Sequence, residues 1–345
     1  MVLNWRRWAL VAAAGVLYYS GLLRLALFFR RVILRKQEVC VLALHRILSD
    51  EERSRTNSLD GMVLREVTFT KMLAFLQRDF RVISLEEFLC AGEQNQGDSR
   101  PRCLLTFDDG WRDNYTRAYP ILRKFNSSAT IFLVTEMVGT TGGFWVERLR
   151  NTWKNPSERR RMIPVVAERL ASRNGGPEIN LEDVVEYLKH LPAQERNGLL
   201  ERLLPSPETE EAANDLDRMM TWEEAAELAR NGVELGAHTA THPILTHEDN
   251  ATVCHELTTC KETLEEKLAR PARAFAYPNG NWNEGVRAQV ERAGFQCAFT
   301  TRRRWYCPGD DPFTIPRFII HEKKISGLDG EFSPALFSLT LARWA

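Results

Sequence analysis

The sequence predicts an α/β fold in which strands and helices alternate and a parallel sheet closes as a barrel. Its 345 residues are 44% hydrophobic and 27% charged, which is typical of a globular chain with one large core. Short apolar runs alternate with segments of helical spacing, the pattern of repeated strand–helix units. Several of these runs end directly in His or Asp. Because a parallel barrel collects its functional groups at the carboxyl ends of its strands, we expect the site there.

Buried strands are predicted where an uninterrupted apolar run is followed by a polar residue or a turn signal. The first, at 39–44, ends at His45 and is followed by helical spacing over 69–80. Ser84 to Glu87 has the form of a capping box and predicts the start of another helix. Further strands are predicted at 81–83, 103–107, 129–134, 233–237, 272–277, 298–301 and 313–320.

The stretch from about residue 145 to 219 departs from this alternation. Its charged amphipathic segments, separated by breaks with Pro or Gly, lie at 165–173, 181–191 and 195–204. We interpret the stretch as a helical insertion in a barrel that spans residues 38–345. The strand–helix pattern returns at Thr221, where Thr-Trp-Glu-Glu again has capping-box form.

Residues 1–37 are predicted to form a single-pass membrane anchor with basic flanks, in contact with membrane lipid. From Trp8 to Phe29 the chain is apolar apart from Ser20 and Arg24, close to the ~20 residues that a spanning helix needs. A cleaved signal peptide fits less well, because the apolar stretch is too long and lacks a small-x-small cleavage site. A buried core helix is the remaining alternative.

The charge balance and the cysteines exclude some functions. The 46 basic and 46 acidic residues cancel, so no overall field attracts nucleic acid, and we expect no nucleic-acid partner. The seven cysteines are widely spaced, with no Cys-x-x-Cys pair that would indicate a zinc knuckle or a redox motif. We interpret most of them as buried thiols.

Two motifs at predicted strand ends together supply the parts of a hydrolytic metal site. Thr-Phe-Asp-Asp-Gly ends a strand with two adjacent carboxylates, Asp108 and Asp109. His-Thr-Ala-Thr-His-Pro ends another with two imidazoles four residues apart, His238 and His242. Each motif alone has an ordinary explanation, as a turn or as a chance pair of histidines. Together, one carboxylate and two imidazoles can hold a metal with open positions, while the second carboxylate stays free as a base.

These motifs resemble those of the polysaccharide deacetylases, the family with the nodulation-protein-B homology domain, which is also the fourth carbohydrate esterase family. Thr106 to Gly110 resembles the family's first motif, His238 to Pro243 its second, and Phe-Ala-Tyr-Pro-Asn-Gly at 275–280 its third. The resemblance covers about residues 38–320 apart from the insertion. It implies a distorted (β/α) barrel and a metal-dependent hydrolase that removes N-acetyl groups from amino sugars.

Carried over to this chain, the resemblance implies that Asp109, His238 and His242 bind the metal and that Asp108 is the general base. It also places near Tyr277 a backbone N–H that stabilises the oxyanion. Zinc is the expected metal, and mixed nitrogen and oxygen ligation would also accept Co²⁺, Ni²⁺, Fe²⁺ or Mn²⁺.

The general acid that protonates the departing amine has two candidates, His45 and His321, each at the end of a predicted strand. Deacetylases of the poly-N-acetylglucosamine type carry this acid in an early Tyr-His-x-Ile-like motif, which Leu-His-Arg-Ile at 44–47 resembles. Many other family members carry it late in the chain, where His321 follows Phe-Ile-Ile. We favour His45, with His321 as the alternative.

One departure from the family pattern concerns the base. The usual third motif contains an arginine that steadies the base carboxylate, whereas this chain has Ala-Phe-Ala-Tyr-Pro at 274–278. Arg273 and Arg317 are the candidate replacements. Without a positive partner, Asp108 would have a different pKa.

The main hypothesis is a membrane-anchored, metal-dependent amidohydrolase that deacetylates an amino sugar in an exopolysaccharide, a cell-wall glycan or a lipid-linked saccharide. One alternative is a deacylase or deformylase of a non-carbohydrate amide at the same site. The other is a non-catalytic, membrane-bound component of glycan assembly, against which the intact motif residues argue. The side of the membrane stays open: the larger downstream basic group and the unpaired cysteines favour the cytosol, whereas exopolysaccharide trimming favours the outside.

Overall fold

The computed structural model describes residues 5–28, 38–90, 98, 100–141, 143–174, 179–204 and 215–342. Its strands are β1 Val39–Leu44, β2 Arg46–Leu48, β3 Val63–Arg65, β4 Arg81–Ile83, β5 Arg102–Phe107, β6 Thr130–Leu133, β7 Glu234–Ala237, β8 Ala274–Ala276, β9 Cys297–Phe299 and β10 Phe318–Ile319. Its helices are α1 Trp5–Tyr19, α2 Leu22–Phe28, α3 Asp50–Arg55, α4 Glu66–Asp79, α5 Leu85–Leu89, α6 Tyr119–Lys124, α7 Trp145–Lys154, α8 Pro156–Asn174, α9 Leu181–Lys189, α10 Ala193–Leu203, α11 Trp222–Arg230, α12 Asn250–Leu268, α13 Glu284–Arg292, α14 Glu322–Ile325 and α15 Pro334–Ala342.

The strands form one parallel sheet of eight, in the order β10-β1-β5-β6-β7-β8-β9, with β4 beside the first half of β5. A separate pair, β2 and β3, lies outside this sheet. Within the described residues, no ladder joins the two end strands, and β9 is bridged at Phe299 to Ile315, which lies three residues before β10. The sheet therefore curves into a distorted, incompletely closed barrel surrounded by helices, which confirms the predicted fold class.

Alternate residues of the strands pack on opposite faces of the sheet, as the two-residue period of a strand requires. Val41 and Leu104 belong to the inner cluster of the barrel, together with Phe132 and Phe299. Leu42 and Leu105 point the other way and pack with the surrounding helices. Because both faces are covered, the central strands consist almost entirely of apolar residues, which is the pattern seen in the sequence.

Most predicted elements are present, and the largest difference is the last strand. Both predicted capping boxes form, at Ser84 with Glu87 and at Thr221 with Glu224. The strand predicted over 313–320 is reduced to β10, Phe318–Ile319. Pro316 explains the shortening, since proline has no N–H to donate to a ladder.

Between β6 and β7 the described chain forms five α-helices, of which α7 to α10 share an apolar cluster of their own. The members of this cluster include Leu149, Met162, Val166, Val184, Leu188, Leu199 and Leu203. This is the region predicted to be a helical insertion, although the boundaries 38–345 and 145–219 stay predictions.

The N-terminal segment differs from the continuous spanning helix that was predicted. The chain is helical here but breaks between α1 and α2, where Gly21 has a φ of 79°. Ala14 of α1 is buried against Ala335 and Leu336 of α15. The Arg7 guanidinium donates to the carbonyls of Lys323, in α14, and of Ser326, directly after it. No helix among the described residues is long and apolar enough to cross a membrane. Residues 29–37, which complete the predicted anchor, lie outside the described part.

Candidate functional site

Four strand ends converge on one cavity at the carboxyl edge of the sheet. Asp108 and Asp109 follow β5, His238 follows β7, His45 follows β1 and His321 follows β10. All of them, with His242, line a cavity of about 280 Å³. The structure thus brings together the residues that the sequence singled out, because parallel strands deliver their last residues to the same edge of the sheet.

Asp109, His238 and His242 form a cluster whose ligand atoms lie within 4.8 Å of one another. The Oδ1 atom of Asp109 is 3.5 Å from the Nε2 atoms of both histidines. The Nδ1 atom of His238 is 2.7 Å from the carbonyl oxygen of Ala276. Since a carbonyl only accepts, Nδ1 carries the proton, and the lone pair of Nε2 points at the cluster. One carboxylate oxygen and two imidazole nitrogens fit a divalent metal such as zinc.

Both histidines are neutral at physiological pH. Burial lowers the pKa of His238 to about 4, against the opposing charge of Asp108. Burial, with the charges of His238 and Arg196, lowers the pKa of His242 to about 3. A neutral imidazole offers a free lone pair, so the cluster can accept a metal without first releasing a proton from either ring.

The loop that carries the two histidines adopts an unusual backbone, held by a buried carboxylate. Thr239 and His242 have φ values of 68° and 67°, in the left-handed region that L-residues rarely adopt. Glu256 of α12 accepts hydrogen bonds from the N–H groups of Ala240 and Thr241 and from the Thr241 hydroxyl. These contacts bring two imidazoles four residues apart onto one side of the loop, although the segment is not helical.

Asp109 is oriented from the side away from the histidines. The indole N–H of Trp111 donates to Asp109 Oδ2 at 3.0 Å, which leaves Oδ1 to face the cluster. The Arg46 guanidinium lies 4.1 Å from the centroid of the Trp111 ring and forms buried ion pairs with Asp113 and Asp217. Arg46, which follows β1 closely in the chain, thus helps to hold Trp111 and through it Asp109. The sequence did not predict this contribution, since no local pattern indicates that Arg46 pairs with residues far along the chain.

The turn after the two carboxylates requires glycine. Gly110 has a φ of 78°, and a Cβ atom there would lie 2.6 Å from Leu133 Cδ2. The chain therefore leaves β5 close against the end of β6, with Asp108 and Asp109 facing the cavity.

Asp108 pairs with Arg317, one of the two candidates to replace the arginine that the third motif of this chain lacks. The Nη1 and Nη2 atoms of Arg317 donate to Oδ1 and Oδ2 of Asp108, each at 2.7 Å, and both side chains are buried. Burial alone would raise the pKa of Asp108, but Arg317, with His238, outweighs it and lowers the pKa well below its usual range. Arg317 is thus confirmed as the partner, whereas Arg273 pairs with Glu234 at the start of β7.

The two candidate acids both line the cavity, and their surroundings differ. Burial, with the charges of Lys324 and His45, lowers the pKa of His321 to about 4. A cationic His321 is therefore disfavoured at neutral pH. His45 is partly exposed, and its carbonyl oxygen accepts a hydrogen bond from the Asn114 amide.

Tyr277 does not reach the cavity. Its N–H donates to the carbonyl of Phe299 at 3.0 Å, and its hydroxyl donates to the carbonyl of Phe313. Both donors of Tyr277 itself are thus committed to the sheet and the neighbouring loop, and the expected oxyanion donor near Tyr277 stays a prediction. Asn279 and Gly280, next along the chain, do line the cavity.

The helices between β6 and β7 contribute charged residues that the sequence did not single out. Glu147 of α7 is buried in the cavity wall and accepts a hydrogen bond from the Ser58 hydroxyl at 3.1 Å. Burial and the charge of Asp109 raise its pKa to about 7, against the opposing charge of Arg46. Lys189 and Arg196 line the same cavity. No local pattern marks such residues, since charged amphipathic helices usually expose their charges.

The chain belongs to the polysaccharide deacetylase family, whose sequence model matches residues 95–298. A relative from Staphylococcus aureus, named poly-β-1,6-N-acetyl-D-glucosamine N-deacetylase, is 21% identical over 270 residues, which cover 78% of this chain and 71% of the relative. YxkH of Bacillus subtilis, named for the same family, is 21% identical over 238 residues. That match covers 69% of this chain and only 56% of the relative's length.

The fold is shared with solved structures. IcaB from Ammonifex degensii superposes with a TM-score of 0.55 over 89% of this chain and 96% of the other, at 18% identity. This similarity supports the barrel architecture.

We expect the metal-free protein to bind zinc with nearly constant affinity from pH 7 down to about 5, because both histidines stay neutral until the pH approaches their lowered pKa values. Asp109→Ala and His238→Ala should each weaken zinc binding by roughly 100-fold or more. Isothermal titration calorimetry with zinc measures both effects, with the exposed Asp329→Asn as a matched control. Wild-type affinity in His238→Ala would contradict the assignment.

Proposed function

We propose that this protein is a metal-dependent hydrolase that removes the N-acetyl group from an amino sugar of a polysaccharide. The observation that carries the proposal is a carboxylate–imidazole cluster beside a second, separately held carboxylate in one cavity. Family membership supports the reaction class. The name of the Staphylococcus aureus relative supports an N-acetylglucosamine polymer as the substrate.

Asp109, His238 and His242 would hold the metal, and zinc fits their donor set best. The metal, when bound, supplies Lewis-acid activation of water and of the amide carbonyl. The protein's own part is to keep three ligand atoms converged, which it does through Trp111 and Glu256.

Asp108 is the proposed general base. Its carboxylate lines the cavity next to the cluster, and Arg317 keeps it ionised, so that it can accept a proton from the attacking water. The same two-point contact fixes the plane of the carboxylate.

His45 is the proposed general acid for the departing amine. It lines the cavity at the end of β1, adjacent to both β5 and β10. His321 is the weaker candidate, because burial stabilises its neutral form, which is a poor proton donor.

Residues of α7 and of the loop before it line the cavity on the side of the metal cluster. The Phe144 ring lies 4.8 Å from that of His242, and Trp145 and Val146 continue the wall. This apolar wall limits water around the reacting amide, which strengthens the electrostatic contribution of the charged groups.

The first test is acetate release from N-acetylglucosamine oligomers by the zinc-loaded protein. Asp108→Asn should retain zinc and lose at least roughly 100-fold in kcat, because the amide cannot accept the proton. Thermal unfolding should accompany the assay, since the variant leaves Arg317 without its anionic partner. Absence of acetate release by a stoichiometrically loaded wild-type protein, both from these oligomers and from the anionic sugars N-acetylglucosamine 1-phosphate and N-acetylmuramic acid, would overturn the proposed reaction.

A comparison of His45→Ala with His321→Ala identifies the acid. We expect His45→Ala to lower kcat by roughly 100-fold and His321→Ala to have a smaller effect, because only the former removes the proposed donor. Zinc content measured on the same samples checks that the metal site is intact. A larger fall for His321→Ala would reverse the assignment.

We also propose that the protein attaches to a membrane through its N-terminal helices. Large apolar side chains of α1 and α2 are exposed, with Trp5 at 68% and Tyr19 at 81%, and the others are Trp8, Val16, Leu22 and Leu25. Those of α1 share one helical face, since residues 5, 8, 16 and 19 follow the 3.6-residue period. Trp and Tyr are the residues favoured at a lipid interface.

This attachment predicts that the full-length protein co-sediments with vesicles of phosphatidylcholine and phosphatidylglycerol. The double variant Trp5→Ser/Trp8→Ser should lower the bound fraction roughly tenfold, because two large apolar side chains no longer enter the lipid. Val67→Ser removes an exposed apolar side chain from α4 and should bind as the wild type does. Unchanged binding of the double variant would exclude α1 as the lipid contact.

A further inference from the structure

Arg196 of α10 is a buried cation that lines the cavity without an ionic partner. Its side chain is only 5% exposed, and its Nε atom has no hydrogen-bond partner. Within the described residues, its guanidinium forms no ion pair, and its central carbon lies 5.6 Å from the centroid of the Trp145 ring. Burial lowers the pKa of Arg196, so the protein alone does not compensate the desolvation of this charge.

None of the neighbouring carboxylates in the described residues forms an ion pair with Arg196, and each accepts hydrogen bonds from other groups. Glu256 accepts hydrogen bonds from Ala240 and Thr241 in the metal-site loop. Glu248 accepts the N–H of Ala193 at the start of α10. Glu147, in the same cavity wall, accepts the Ser58 hydroxyl. Arg196 therefore keeps guanidinium donors for a ligand in the cavity.

A second cation lines the same cavity. Lys189, at the end of α9, is partly buried and pairs with the largely exposed Glu186. Lys189 and Arg196 belong to the helices between β6 and β7, which thus bring two cations and the Glu147 carboxyl group to the cavity, while the strand ends supply the hydrolytic groups. A guanidinium and an ammonium on one wall suit phosphate or carboxylate oxygens.

We propose that Arg196, together with Lys189, binds an anionic group, a phosphate or a carboxylate, that the saccharide substrate carries near its N-acetyl group. The proposal rests on the deacetylase function proposed above and narrows its substrate to charged saccharides. The amino sugar would then be held at two points: by its amide at the metal cluster and by its anion under α10.

The test is calorimetric binding of three probes to the zinc-loaded, full-length protein. The probes are N-acetylglucosamine 1-phosphate, N-acetylmuramic acid, which carries a carboxylate, and the neutral methyl glycoside of N-acetylglucosamine. We expect at least one anionic probe to bind roughly 10-fold to 100-fold more tightly than the neutral one, the range expected for charge-assisted hydrogen bonds. The preferred probe distinguishes phosphate from carboxylate.

Arg196→Met should abolish this preference while the neutral probe binds unchanged, because methionine keeps the packing on Trp145 and removes the charge. Arg160→Met, on the exposed surface of α8, removes the same charge outside the cavity and should leave the preference intact. Zinc content is measured on the same Arg196→Met sample, and a small residual preference at full zinc occupancy would report the remaining contact with Lys189. Lys189→Met, at a partly exposed position, should reduce the preference even if Arg196→Met fails to fold.

Two results would overturn the proposal: equal affinity of the wild type for all three probes, or an undiminished preference in Arg196→Met. Acetate release is measured separately on the same probes. A protein that prefers the anionic probes but deacetylates none of them would keep the anion subsite and exclude the deacetylase function. A protein that deacetylates the neutral probe without preference would do the reverse.

Discussion

The buried ion pair between Asp108 and Arg317 is the interaction on which both the site and the shape of the barrel depend. Arg317 also donates to the Thr106 hydroxyl and the Thr300 carbonyl, so one side chain joins the ends of β5 and β9 to β10, which it precedes. Its guanidinium carbon lies 5.8 Å and 5.9 Å from the ring centroids of Phe132 and Phe299, inside the apolar core of the barrel. A charge in such a position is tolerated only when its partner is ionised. Ionisation of the proposed base is therefore coupled to the contacts by which Arg317 holds β5, β9 and β10 together, where no ladder joins β9 to β10 in the described residues.

Backbone conformation, as well as charge, positions the metal cluster. Asp109, Thr239 and His242 all have positive φ, a conformation that costs of the order of 1 kcal/mol or more for a residue other than glycine. Glu256 and Trp111 supply the hydrogen bonds that offset this cost. The ligand atoms consequently face one another in the protein itself, and a metal entering the site needs little rearrangement.

The sequence predicted those features of the site that depend on neighbouring residues in the chain. It did not predict those that depend on contacts between residues far apart in the sequence. The strand ends could be located because an apolar run followed by His or Asp is a local signal. The partner of Asp108 lies 209 residues away and could only be narrowed to two arginines. Similarly, Arg46 and Arg196 look like ordinary charges of a strand and a helix until the fold buries them. At the N-terminus, the sequence has enough apolar residues for a spanning helix. The number of apolar residues does not reveal the break at Gly21 or the packing of Ala14 on α15.

The position of the helices α7 to α10 in the chain has a consequence for how such a protein can diversify. They leave the barrel after β6 and return at β7, two strands that are neighbours paired from Thr130 with Glu234 to Leu133 with Ala237. The excursion therefore connects the carboxyl end of β6 to the amino end of β7, two strands that are already paired with each other. Its length and sequence can change between lineages without shifting the register of the sheet or the residues at the strand ends. The proposed anion contact and the strand-end residues of the proposed metal site are thereby placed in separately mutable parts of the same polypeptide.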